Sequence, residues 1–168
     1  MLDRILRTHE LRAAVLVRAL VGAIFVSEGA QKFLYPEELG AGRFARIGFD
    51  APELLGPLVG GVEVLCGALV LCGLMTRVAA APLVGVMIGA LVSIKVPIAL
   101  GEATLGFALR PLPRYGVLSA LHEARTDLSM LCCAAFLIAA GAGPWSVDAA
   151  WARRRARGRA AARRNTLR

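Results

Sequence analysis

Residues 54–77, LLGPLVGGVEVLCGALVLCGLMTR, form an apolar run long enough to cross a bilayer, and a glutamate, Glu63, stands near its middle. As a helix rising ~1.5 Å per residue, residues 54–75 span roughly 33 Å, against a hydrocarbon core of about 30 Å. The carboxylate therefore falls near mid-depth. Facing lipid there it costs a few kcal/mol or more, so it is expected to face a protein interior, a watery cavity or a cation. The helix that carries it must then pack against others that bring polar groups to the same depth.

The rest of the chain supplies such helices. With 57% hydrophobic residues in 168 and a mean hydropathy of +0.63, it exceeds what a soluble domain of this length carries. Four spans are expected, at about 13–34, 54–75, 78–96 and 121–143, so the fold class is all-α, an integral membrane four-helix bundle. Residues 1–150 form that membrane domain and 151–168 a basic tail. The lead MLDRILRTHELR reads as an interfacial turn. Arg18, about a turn and a half into the first span, is expected to snorkel to the headgroups. Residues 35–52, rich in turn formers, read as a loop with a short interfacial helix dipping Phe44, Ile47 and Phe49. Thr76 and Arg77 form a tight turn, and Lys95 with Pro97 ends the third span. Residues 98–119 read as a loop or partly re-entrant segment. Small-residue ridges are expected to let helices approach closely: Gly22 and Gly29 on the first span, Gly56, Gly60 and Gly67 on the second, and Ala81, Gly85 and Gly89 on the third.

The net charge of +8 is concentrated at one end, because eight of the twenty Lys and Arg residues follow Trp151. Beside a membrane span such a run reads as a cytoplasmic topology signal touching anionic lipid rather than a nucleic-acid site. With four spans both termini lie on one side. The lead, Arg77 and the tail place twelve basic residues there, against Arg43, Arg46, Arg110, Arg114, Arg125, Lys32 and Lys95 opposite. Both termini are therefore expected to be cytoplasmic. Trp145 and Trp151 read as the interfacial belt of that side, and Arg18 argues against a cleaved signal peptide.

This topology gathers ionisable groups at the outer face. Glu28 and Lys32, spaced i, i+4, share a face near the end of the first span. Lys95 ends the third, and His122, Glu123, Arg125 and Asp127 open the fourth. With Glu63 as floor these groups can line a funnel that binds a polar headgroup or relays protons, Glu63 being the candidate catalytic residue. Equally, Lys32 and Arg125 can simply neutralise Glu28, Glu63 and Asp127 and hold the helices in register. No catalytic motif is present: H-E-x-x-H, P-loop, G-x-S-x-G and G-x-G-x-x-G are all missing from the sequence. His9 and His122 fall on opposite sides, and no metal site is expected. Cys66, Cys72, Cys132 and Cys133 form no C-x-x-C pair and read as small packing residues.

The segments SEGAQKF (27–33), GGVEVLCGALVLCGLMTRVAAAPL (60–83), HEARTDLSML (122–131) and GAGPWSVD (141–148), in this order and spacing, resemble the DoxX family of small four-span membrane proteins. The resemblance covers about 18–148. The family pattern falls on Gly29, Lys32, Gly60, Glu63, Gly67, Gly73, Arg77, Glu123, Asp127, Gly141, Gly143, Ser146 and Asp148. It implies a bacterial inner membrane protein. Some similar proteins are subunits of quinone-linked sulfur oxidoreductases, others are associated with redox-defence complexes, and more distant ones are cargo receptors. A membrane subunit binding a quinone-like molecule through Glu28, Lys32, Glu63, His122, Glu123, Arg125 and Asp127 is therefore the first expectation, with a redox subunit or a second copy of the chain as partner. A non-enzymatic scaffold and a small-solute transporter are the alternatives.

Overall fold

The structure is a computed structural model that describes residues 11–166, and beyond Arg157 its backbone alone. Residues 1–10, with His9 and most of the expected interfacial lead, lie outside the described residues. The chain is all-helical: α1 (Ala14–Leu34), α2 (Ala41–Ile47), α3 (Pro52–Cys72), α4 (Thr76–Ala90), a π-helical turn (Leu91–Lys95), α5 (Val96–Leu100), α6 (Val117–Ala140) and α7 (Val147–Thr166). Among the described residues the sole extended pairing is an isolated bridge between Thr104 and Phe107.

Among the described residues three helical stretches are long and apolar enough to cross a membrane: Ala14–Leu34, Pro52–Cys72 and Thr76–Leu100. The helix α6, at 24 residues, has the length. Every stretch of it long enough to span, however, includes Glu123, Arg125 and Asp127, so it lacks the apolarity of the other three.

The long helices touch in a ring. Most of the contact is between α1 and α3 and between α4 and α6, with α3 on α4 and α6, more lightly, back on α1. Where they meet lies the core: Val21 and Phe25 of α1, Cys66 and Val70 of α3, Ala79, Ala80 and Leu83 of α4, and Met130 and Leu137 of α6. Lipid tails are as apolar as these side chains, so burying them gains little and close approach of backbones has to hold the helices together. Glycine permits that approach between α1 and α3. A Cβ on Gly29 would lie 2.6 Å from the Gly60 carbonyl oxygen, and one on Gly22 would lie 2.8 Å from that of Gly67.

Gly85 and Gly89 stand elsewhere than on such a seam: a Cβ on either would meet nothing within 4 Å. Of the expected ridges, those on the first and second spans meet each other, whereas Gly85 and Gly89 on the third have no such neighbour.

Three boundaries move. The turn between α3 and α4 is made by Gly73 to Met75, not by Thr76 and Arg77, which open α4. Gly73 adopts φ +70° and Met75 φ +48°. The Met75 conformation is uncommon for a residue with a Cβ, and it is held because the Met75 and Thr76 amides donate to the Asp148 carboxylate at 2.7 and 3.0 Å. Pro97 does not end the third span. The π turn widens the helix just before it, absorbing the missing N–H, and helix continues to Leu100. The fourth long helix begins earlier than expected, at Val117, after a loop over residues 101–116.

At the end where α1 and α7 begin, a polar knot closes the fold. Arg18, expected at the headgroups, is 5% exposed and donates to the carbonyls of Ala142 (2.9 Å) and Trp145 (2.8 Å). Those carbonyls lie in the turn between α6 and α7. Arg77 donates to the Ile138 carbonyl at 2.7 Å, and Ser146 caps α7 by accepting from the Ala149 amide at 3.1 Å. Asp148 is buried and its own amide donates to the Gly73 carbonyl at 2.9 Å, so the basic helix α7 starts from a fixed point.

Candidate functional site

The deep carboxylate is where the sequence places it and has a partner. Gly29 and Gly60 bring α1 and α3 together, so that Lys32 of α1 reaches across to Glu63 of α3. The ammonium and carboxylate lie 2.5 Å apart, with side chains 10% and 3% exposed. Lys32 also donates to the Glu28 carbonyl at 3.5 Å. A charge pair this shielded is strong because so little water competes for it, and neither member can be removed without stranding the other.

The pair is set in the wall of a cavity of about 640 Å³, lined by α1, α2, α3, α4, the π turn and α6. Its wall is mainly apolar, with Phe25, Val62, Val86, Met87 and Met130 toward the core and Phe44, Ile47 and Phe49 from α2 and the residues after it. The polar groups are few: Glu28, Lys32 and Glu63, Arg43 on α2, Ser93 on the π turn, and Thr126 and Asp127 on α6. Apolar walls with a few convergent polar groups describe a small-molecule site.

The seat of α2 is fixed by aromatic packing. Phe44 and Phe49 have ring centroids 5.3 Å apart, and Phe49 and Phe107 5.0 Å, while the Ala108 amide donates to the Ile47 carbonyl at 2.8 Å. Tilted aromatic contacts of this kind tie the short helix to the loop after α5.

Of the residues singled out from the sequence, Glu28, Lys32, Glu63 and Asp127 converge on the cavity. Asp127 is paired with Lys95 at 3.2 Å, which joins the π turn to α6. His122, Glu123 and Arg125 are not among the lining residues. Arg125 contacts His122 of its own helix at 2.6 Å, and Glu123 meets Arg110 of the preceding loop at 3.4 Å. The neutralising role expected of Arg125 toward the acidic groups thus belongs to Lys32 and Lys95. Gly85 and Gly89 line the cavity, where their missing side chains leave it room.

Arg43 is the charged lining residue that sequence reasoning did not assign to the site. It sits in the segment read as an interfacial loop, and the signal available was its place one residue before Phe44, on the short helix expected to dip. Cys66 is buried, Cys133 half-buried, Cys72 and Cys132 exposed, and all are free thiols.

A model of the DoxX family matches residues 13–96. The chain is 46% identical over 145 residues to an uncharacterized membrane protein of Mycobacterium tuberculosis, an alignment covering 86% of this chain and 85% of that protein. No solved structure matches it significantly.

Proposed function

Since the chain belongs to the DoxX family of membrane proteins, we propose that its cavity is an intramembrane site for a quinone-like molecule, in a subunit of a quinone-linked oxidoreductase or redox-defence complex. The observation that carries this reading is the shielded Lys32–Glu63 pair in the wall of an otherwise apolar cavity. A lipid-soluble ring enters from the membrane and lies against Phe25, Val62 and Met130. Its polar oxygen displaces part of the Lys32–Glu63 contact: the ammonium donates to a carbonyl, and the carboxylate accepts from a hydroxyl or takes its proton.

On this reading the four long helices each cross a bacterial inner membrane, the termini are cytoplasmic and the cavity belongs to the outer leaflet. Lys95 neutralises Asp127 on α6, which lowers the penalty of taking that helix across. A second reading, a scaffold, draws on the fact that the same pair joins the two helices in closest contact.

Binding distinguishes them. With the purified protein in lipid nanodiscs, a short-chain benzoquinone is expected to bind, and Glu63→Gln to weaken binding of its hydroquinone by at least about tenfold, the worth of one charge-assisted hydrogen bond. Failure of the wild type to bind either form, or equal binding by a folded Glu63→Gln protein, overturns the quinone reading in favour of the scaffold.

A further inference from the structure

Four charged side chains line the cavity on α1, α2 and α3: the acids Glu28 and Glu63, and the bases Lys32 and Arg43. Their charges balance, yet one of the two possible pairs is made. Lys32 and Glu63 are joined, whereas among the described residues neither the Glu28 carboxylate nor the Arg43 guanidinium has a hydrogen bond or ion pair. Both nonetheless lie within electrostatic reach of Glu63, so they belong to one cluster. Arg43 is set apart because it rides on α2, whose position the Phe44–Phe49–Phe107 contacts fix. An exposed carboxylate and a half-buried guanidinium, both unjoined on the lining of a largely apolar cavity, offer an acceptor and a donor to whatever fills it.

We propose that Glu28 and Arg43 form a second polar station of this cavity, which recognises the far oxygen of a para-quinone ring and lets the site hold both the oxidised and the reduced form. The inference rests on the quinone reading of the Lys32–Glu63 pair and goes beyond it. The two oxygens of such a ring are opposed across it, at a separation close to one helical turn. Each then meets one cation and one carboxylate: Lys32 with Glu63 at one end, Arg43 with Glu28 at the other. A carbonyl oxygen can accept but not donate, so the oxidised ring uses Lys32 and Arg43. A hydroxyl can also donate, so the reduced ring adds Glu63 and Glu28. A cavity with only cations would favour the oxidised form, and one with only acids would reject it.

The test is affinity for both forms of one probe, a decyl-substituted benzoquinone and its hydroquinone, with the full-length protein in nanodiscs. Arg43→Met removes the donor and keeps the length of the side chain; Glu28→Leu removes the acceptor. Arg43→Met is expected to weaken the quinone about tenfold or more and the hydroquinone by less than about threefold. Glu28→Leu is expected to do the reverse, leaving the quinone unchanged or tighter. The ratio of the two affinities is the decisive readout, because a change that merely loosened the fold would lower both together. Equal losses for both forms, or none, in variants whose wild-type parent binds the probe overturn the second station and leave the first reading standing. If the wild-type protein binds neither form, both fall.

Discussion

Lys32 is the cation on which the deep carboxylate depends. Substituting it by methionine keeps the bulk of the side chain but strands Glu63, 3% exposed at its side chain, without its ion-pair partner. Breaking a buried pair from one side costs about 3–5 kcal/mol, whereas replacing both members by apolar residues is often close to neutral. Lys32→Met is therefore expected to lose several kcal/mol, and Lys32→Met with Glu63→Leu to recover most of it, as read by denaturant unfolding in micelles. A loss under about 1 kcal/mol for the single variant would contradict the dependence of Glu63 on Lys32. The sequence made Glu63 and Lys32 legible because mid-depth charge in an apolar helix has few outlets. Arg43 and Arg18 were harder to place. Both depend on tertiary position: Arg43 on how far the short helix α2 leans over the cavity, and Arg18 on carbonyls of a turn 124 and 127 residues away. His122 and Arg125 were assigned to the site by depth, whereas their face of α6 decides the matter, and they interact with each other instead.

At the level of helices, the seam between α1 and α3 predicts opposite outcomes for two glycine substitutions. Gly29→Ala would put a Cβ 2.6 Å from the Gly60 carbonyl oxygen, a backbone atom that cannot swing aside. The helices must part, which opens the Lys32–Glu63 contact as well, and a loss of about 2 kcal/mol or more is expected from overpacking. Gly85→Ala meets nothing within 4 Å, so it should be neutral or gain up to about 1 kcal/mol from helix propensity. Thermal unfolding of both variants in one detergent measures the difference, and equal effects would contradict the seam. Three of the four long helices were readable as apolar runs within a few residues of their observed bounds. The third was cut short because proline ordinarily stops a helix, and the π turn over Leu91–Lys95 that carries it past Pro97 has no local sequence signal. Small-xxx-small spacing marks a helix that can be approached closely, but it does not say by which neighbour. Hence Gly85 and Gly89 were read as a seam and turn out to line a cavity.

For the whole molecule, the side on which α7 lies depends on whether α6 crosses the bilayer. The charged half of α6 is not left bare: Asp127 is 3.2 Å from Lys95 and Glu123 is 3.4 Å from Arg110. Neutralised in pairs and packed along α4, such a helix can span where an isolated one of the same composition would not. The polar knot points the same way. Arg18 near the start of α1, the α3–α4 turn and the α6–α7 turn all meet through Arg18, Gly73 and Asp148, so these three chain segments lie at one level. If α1, α3 and α4 cross, the start of α1 and the end of α3 share a side, and the end of α6 must share it too. That requires α6 to cross. On the proposed orientation the arginine-rich helix α7 lies on the cytoplasmic side, where the basic residues are in excess. In intact bacterial cells, a cysteine introduced at Glu102 in the loop after α5 should be labelled by a membrane-impermeant thiol reagent in a background lacking the four native cysteines. One at Ala150 in α7 should be labelled only after the membrane is breached. Labelling of both from outside would mean that α6 returns without crossing, and labelling at Ala150 alone would invert the orientation and put the cavity in the inner leaflet.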